Sequence, residues 1–571
     1  MRALERWLML ALMALWAAPA FSQAIQDQDA ARFLTQATFG PTAADIAKVK
    51  ALGYSAWIDA QLREPLPSLG HQAYWDQRNA ALIPLKSQAT TNEVTASFWR
   101  MAITGGDQLG QRLAFALSEI FVVSLADNCG DNQGARSVAS YLDMLDAMAF
   151  ARYRDVLERV ALHPAMGCYL SHLHNQKEDL DSGRVPDENF AREVMQLFSI
   201  GLYELNPDGT QRLDAAGKPI ETYHARDVSE LAKVFTGLSW DCPQPRNEGC
   251  FLRGINGATG RSYADRNVMP MVPYPQYHST SAKHFLGITI AAQSIPNPQE
   301  SLRIALDALA YHRNTAPFIS KQLIQRLVTA NPSPAYVARV AKVFLDQDGN
   351  LGATVKAILL DPEARDSRAA EASTTFGKVR EPILRVTALL RAFGGLSMSG
   401  DYLMRPTDDP GFGLAQSPMK SPSVFNFFRP GYVPPATEAA EAGLVNPEMQ
   451  IATAVSATGY VNFMRGLIEV GAGWNGLDQK TGPVDVQFGF NQRPDDPLLL
   501  LCDTPDRLLD VVNARLFYGW MSASLRAKIL DAVTSIDFHP EDDKERLAMR
   551  RHRLWSALLL AVSSPEYLIQ R

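Results

Sequence analysis

Apolar residues recur three and four positions apart along almost the whole chain, the pattern of helices that bury one face. The run ARFLTQATFG stops at Gly40-Pro41, Thr42 and Asp45 form a capping box, and Gly53 closes the next helix before Tyr54 to Leu62 starts a third. Gln108 to Val123, opened by Asp107, turns Leu109, Leu113, Ala116, Ile120 and Phe121 toward a core, with Arg112 and Glu119 off that face. The same rhythm predicts helices at Tyr141 to Met148, Tyr153 to Leu162 and Ala165 to His174. It predicts more at Ser301 to His312, Ala316 to Val328, Pro334 to Asp346, Lys378 to Phe393, Leu508 to Val533 and Glu545 to Ser563.

The densest helical signal is Val185 to Leu202, and the rest of the chain reads as packing arranged around it. Pro186 and Asp187 suit a start, Glu188 adds charge favoured by the dipole, and Gly201 suits a stop. Phe190, Val194 and Leu197 make an apolar stripe widened by Ala191, Met195 and Phe198. Asn189, Arg192, Glu193 and Gln196 then share the opposite strip. Such a strip serves a ligand, holds neighbouring backbone or faces water.

After Gly201 the period changes. Turns at Pro207-Asp208-Gly209 and Gly217-Lys218-Pro219 make Leu202 to Tyr223 a small hairpin or three-stranded flap. Three stretches rich in Pro, Gly or Asn, at Asp241 to Ser281, Asp401 to Pro435 and Ala472 to Pro497, read as long loops. In the second, Phe425, Phe427, Phe428 and Tyr432 lie among prolines and are expected to pin the loop to the body. The expected fold is mainly α, a large multi-helical orthogonal assembly with a small β flap and no parallel sheet.

The amino-terminal residues change the picture of where the protein works. Arg2 and Arg6 precede an apolar run from Trp7 to Ala18, and Ala20-Phe21-Ser22 suits signal peptidase, so residues 1–22 read as a secretory signal peptide. That run is too short to span a membrane and no second one follows. Residues 23–571 then form one large helical domain, divisible into lobes at about 23–370 and 371–571. The net charge of −6 leaves no basic footprint for nucleic acid. Among five cysteines in an exported chain, Cys242 and Cys250 flank a turn-rich loop and are the expected disulfide, while Cys129, Cys168 and Cys502 cannot be paired from the sequence.

Several segments carry a resemblance to a known family. ARFLTQATFGPT at Ala31, NFARE at Asn189 to Glu193, NPDGT at Asn206, FTGLSW at Phe235, SPSVFNFFRPGYVPP at Ser421 and the final SSPEYLIQR resemble recurring phrases of the bacterial family catalogued as domain of unknown function 1800. His278, Lys283 and FLG at Phe285 to Gly287 resemble its H-D-x-G-x-K-x-F-L-G element, with Ser279 and Ser281 where that family has Asp and Gly. The resemblance is nearly end to end. It implies an exported, mostly helical protein, often encoded beside another uncharacterised exported family, and names no activity.

No G-x-S-x-G elbow, H-E-x-x-H helix or Walker loop occurs, and no cofactor motif is evident. His163, His172, His174, Asp179 and Asp181 gather possible metal ligands, yet surface decoration is the simpler account, and no metal site is expected. Asp346, Asp348 and Asn350 hint at calcium, but Leu351 stands where the loop needs Gly. The remaining polar set is Glu188, Asn189, Arg192, Glu193, His278, Lys283, Arg380 and Glu381. It supports two readings. One is a non-catalytic scaffold or binding component working with a separately encoded exported partner, in which Arg192 and Arg380 pair with Glu193 and Glu381 to lock segments together. The other is an extracytoplasmic hydrolase or acid/base enzyme with Glu193 and His278 as catalytic groups and the others binding ligand. Convergence of the set on one concave pocket discriminates between them.

Overall fold

The computed structural model describes residues 24–126, 134–243, 246–256, 259–473 and 484–571; residues 1–22, expected from the sequence to be a signal peptide, and Cys129 lie outside them. The fold is mainly α, with 27 α-helices among the described residues. Strands occur there only as four two-stranded antiparallel pairs. Local punctuation acts as expected at many ends. Thr42 and Asp45 form the capping box, and the helix Pro334–Asp346 starts under a Ser333 cap. The flap after Gly201 forms through antiparallel bridges Tyr203 to Glu221, Leu205 to Gln211 and Leu213 to Pro219.

Two helices are sunk in the core, and neither is the one at Val185 to Leu202. Every residue of Gln108–Ser118 is buried, as are all but two of Thr315–Leu327. The segment expected to organise the fold is helical only over Asn189–Gln196, because Asp187 and Glu188 precede the first turn and tight turns follow Gln196. It still buries Phe190, Val194 and Met195, so its apolar stripe was read correctly.

Two hydrophobic clusters divide the interior. One joins residues from Ala30 to Ala364 with Met419. The other is built mainly from Ile383 to Tyr567, and is entered from the first part of the chain by Phe39, Phe98, Trp99 and Phe115. Between them the predicted helix Lys378 to Phe393 is corrected at its start: Lys378–Val379 is a strand paired with Ile569–Gln570, and the helix runs Pro382–Ala392. Pro382 explains the break, since it has no amide to donate and opens a helix readily. The strand brings the chain's last residues beside the buried helix ends.

The Asp241 to Ser281 excursion packs through its own small cluster of Cys242, Cys250, Phe251 and Tyr274. Cys242 and Cys250 are joined there, their Cα atoms 6.1 Å apart. Cys168 is also disulfide-bonded, while Cys502 is free and buried. No helix among the described residues is long and apolar enough to cross a membrane.

Candidate functional site

The carboxyl ends of the two sunken helices meet in the interior, and their carbonyls need donors that water cannot supply. Lys378 Nζ donates to the carbonyls of Gln325 and Arg326, both at 2.9 Å. Arg112 Nη2 donates to the Arg326 carbonyl at 2.6 Å, and Gln570 Nε2 reaches Leu327 and Val328. Cations at a helix carboxyl end are also favoured by the dipole. The strand at Lys378–Val379 therefore serves as a cap for the helix Thr315–Leu327.

Acids complete the network. Glu119, which closes the helix Gln108–Ser118, accepts from Asn426 Nδ2 at 2.9 Å and lies 3.4 Å from Arg326 Nη1. Glu448 accepts an ion pair from Lys378 at 2.8 Å, and Glu381 lies 3.7 Å from the same Nζ while accepting from Gln416 Nε2 at 2.8 Å. Burial pushes the Glu119 carboxyl up to about 8, more than Arg326 pulls it down, and its place at a helix carboxyl end works in the same direction. Burial acts on Glu381 too, but Lys378, Arg112 and Arg326 outweigh it and hold that carboxyl below its ordinary value. The two acids thus differ: burial biases Glu119 toward its protonated form, while the surrounding cations bias Glu381 toward its ionised form.

Above this network opens a cleft of about 840 Å³. Its walls are the helix Thr315–Leu327, the flap after Gly201 and the loop from Val424 to Gln450. The loop is fixed by Asn331, which exchanges two hydrogen bonds with Val445, and by Gln325, which donates to the Pro430 carbonyl at 3.3 Å. Phe428 lies buried under the Arg326 guanidinium, 4.8 Å away, so of the four aromatics expected to pin the loop it is the buried one, while Phe425, Phe427 and Tyr432 stay partly exposed. Tyr203, Phe318, Phe425 and Tyr432 line the cleft with the amides of Gln196, Gln211 and Gln322. The charged lining residues are Glu119, Lys321, Arg326 and Arg429. With Glu119 protonated, the charge facing the cleft is positive.

The residues singled out from the sequence do not converge. Arg192 pairs with Glu188 one turn away on its own exposed helix face at 3.3 Å, and Asn189 is exposed beside them. Among the described residues neither Arg192 nor Glu193 reaches an ion partner on another segment, against the expected lock. Glu193 is buried with Oε2 lacking a hydrogen-bond partner among the described residues, and burial raises its carboxyl. Elsewhere His278 is buried, with Nδ1 2.9 Å from the Thr236 carbonyl oxygen and Nε2 3.1 Å from Ser301 Oγ. Burial takes it down to about 4, so it is neutral. Lys283 donates to the carbonyls of Ser279 and Ser281, while the hydroxyls of those two serines donate to Glu178. The serines that replace Asp and Gly thus bind a carboxylate instead of supplying one.

Arg380 does not pair with Glu381. Its guanidinium lies 4.7 Å from the Tyr567 ring and donates to the carbonyls of Tyr567 and Leu384. Only Glu381 of the predicted set belongs to the buried network. The histidines weighed for metal are otherwise engaged: His163 caps its helix, and His172 stacks on Phe190 at 3.9 Å. Asn350 caps the next helix, while Asp346 and Asp348 pair with Lys342 and Arg152. His71, Asp143 and Asp146 bring ligand atoms within 4.8 Å of one another, but Asp143 accepts from the amides of His71 and Gln72 and so caps a helix.

Glu119 and Arg326 were missed because each sits in a segment whose periodicity already has a core face. The signal present in the sequence is the density of apolar residues around the charge, in LAFALSEIFVV for Glu119. A charge with no polar neighbours on either side of its helix has nowhere to reach water.

Fold and site together define a mainly helical protein with a buried acid–base network beneath a cationic, aromatic-lined cleft. The chain belongs to the family described as "Protein of unknown function (DUF1800)", which it matches over residues 32–569. No curated protein and no solved structure matches it.

Proposed function

We propose that the protein is an exported binding component whose cleft takes an anionic, hydroxyl-rich ligand, such as a stretch of acidic polysaccharide. The observation that carries this reading is the cleft's lining: three cations, one acid held protonated, amide side chains and four aromatic rings in about 840 Å³. Rings stack on sugar faces, amides exchange hydrogen bonds with hydroxyls, and cations favour carboxylates. Volumes of about 300–1,000 Å³ are those of ligand sites. Export is carried by the amino-terminal pattern, and a separately encoded exported partner by the family resemblance.

A second reading has its own observation. A carboxyl that stays protonated near pH 7 inside a cleft suits a general acid, so hydrolysis of the bound ligand is the alternative, with Glu119 in the role assigned from the sequence to Glu193. The test is binding of polygalacturonate and of uncharged dextran to the full chain, with release of reducing ends followed in parallel. Preference for polygalacturonate, lost in Lys321→Met and Arg429→Met, supports the binding reading. Equal binding of both polymers, or of neither, refutes it. Reducing-end release abolished by Glu119→Gln selects the enzyme.

A further inference from the structure

Arg380, which the cleft leaves unused, lines a second cavity of about 410 Å³. Arg32 lines it too, with Thr35, Tyr518 and Trp520. Both guanidiniums are at least nine-tenths buried, Arg32 at 4% exposure and Arg380 at 5%. Arg32 donates from Nε to the main-chain oxygen of Arg571 and from Nη1 to the carbonyl of Ala364, leaving Nη2 without a partner among the described residues. Arg380 spends Nη1 and Nη2 on carbonyls and leaves Nε without one.

Arg32 thus meets a main-chain carboxyl oxygen of Arg571, the last residue of the sequence, whereas no side-chain carboxylate among the described residues lies within ion-pair distance of Arg380. Asp29 and Asp366 act favourably on Arg32 from beyond ion-pair distance, while Arg385 is the charged neighbour felt by Arg380, and the two cations repel each other. Of the acids facing the cavity, Glu566 is bound to the amide and hydroxyl of Ser522, which leaves Glu371. Arg380 is therefore a buried cation with no side-chain carboxylate at ion-pair distance among the described residues, an arrangement that costs free energy and that a bound anion completes.

The wall opposite is shaped by backbone that regular helix would not allow. Asn513–Phe517 forms a π-helical turn, Tyr518 follows at φ 57° and Gly519 at φ 94°. Irregularities of this kind cluster at functional sites because they re-aim side chains. Here they bring Tyr518 to the cavity wall and leave Trp520 beside it, 44% exposed.

We propose that this cavity is a second binding site, for a small ligand carrying a carboxylate or phosphate on a flat apolar ring. Arg380 and Arg32 hold the anion, and Trp520 covers the ring. The site stands independently of the reading of the cleft.

The test is calorimetric titration of the full chain with phenyl phosphate and with phenylacetate, beside their anionic halves, inorganic phosphate and acetate, and benzyl alcohol for the ring, at constant ionic strength. At least one ring-bearing anion is expected to bind about tenfold or more tighter than either half, and the tighter of the two identifies the anion. Trp520→Ala, on the surface, weakens that probe by about tenfold and leaves its anionic half, inorganic phosphate or acetate, unchanged. Arg380→Lys weakens every anionic probe, with Arg32→Lys in its place if that variant does not fold. Failure of both ring-bearing anions to bind, or binding undiminished in Trp520→Ala, overturns the proposal.

Discussion

Replacing Lys378 with Met tests the central network most directly. The Nζ makes two hydrogen bonds to the carbonyls of Gln325 and Arg326, an ion pair with Glu448 at 2.8 Å and a looser one with Glu381 at 3.7 Å. All of these side chains are at most 3% exposed apart from Gln325 at 6%. Met fills a similar volume, so the packing loss is small and the cost comes from what is stranded: two helix carbonyls and two acids. Breaking a buried pair by removing one partner costs about 3–5 kcal/mol. At roughly 2–4 °C per kcal/mol for domains of 150–250 residues, and less for a larger cooperative unit, Lys378→Met is expected to melt several degrees below the parent.

The double variant Lys378→Met, Glu448→Gln separates charge from packing. Neutralising one stranded acid should return at least about 1 kcal/mol, so the double is more stable than the single. Loss of Lys378 also removes a cation that holds the Glu381 carboxyl down, so the variant gains relative stability as pH falls and that carboxyl takes up a proton. Thermal and urea denaturation at pH 5 and pH 8 reads both effects. A Lys378→Met protein as stable as the parent at pH 8, or a double variant no better than the single, would refute the account of the network.

Three further outcomes follow from named contacts. Because Glu119 binds a proton in the folded state up to about pH 8 and in the unfolded chain only to about 4.5, stability falls as pH rises between those values; Glu119→Gln flattens this slope, and an unchanged slope in urea titrations rules the assignment out. Arg192→Met removes one exposed pair within a helix and costs no more than about 0.5 kcal/mol, so a loss above about 2 kcal/mol would restore the lock between segments. Gly237 sits at φ 77° with an added Cβ 2.9 Å from both the His278 nitrogen and the Tyr274 carbonyl oxygen, so Gly237→Ala is expected to cost about 2 kcal/mol or more in the same denaturation assay.

Helix and loop positions were largely legible along the chain, because caps, prolines and apolar spacing act within a few residues of where they stand. Thr42 with Asp45, Ser333 before Pro334, and the turns at Gly209 and Gly217 each specify their own neighbourhood. Periodicity reports which face of a helix is apolar, but it is silent on what covers the other face. Arg192 and Glu193 looked like a site because local spacing gathered them, and the fold leaves Arg192 at the surface. Glu119, Arg326, Lys378 with Glu381, and Glu448 come from four separate places in the chain and meet only because two buried helices end together and a strand formed with Ile569–Gln570 carries Lys378 to them. Which charges lose their water, and so which acid keeps its proton, is a property of burial by distant segments, and it is settled by tertiary packing alone.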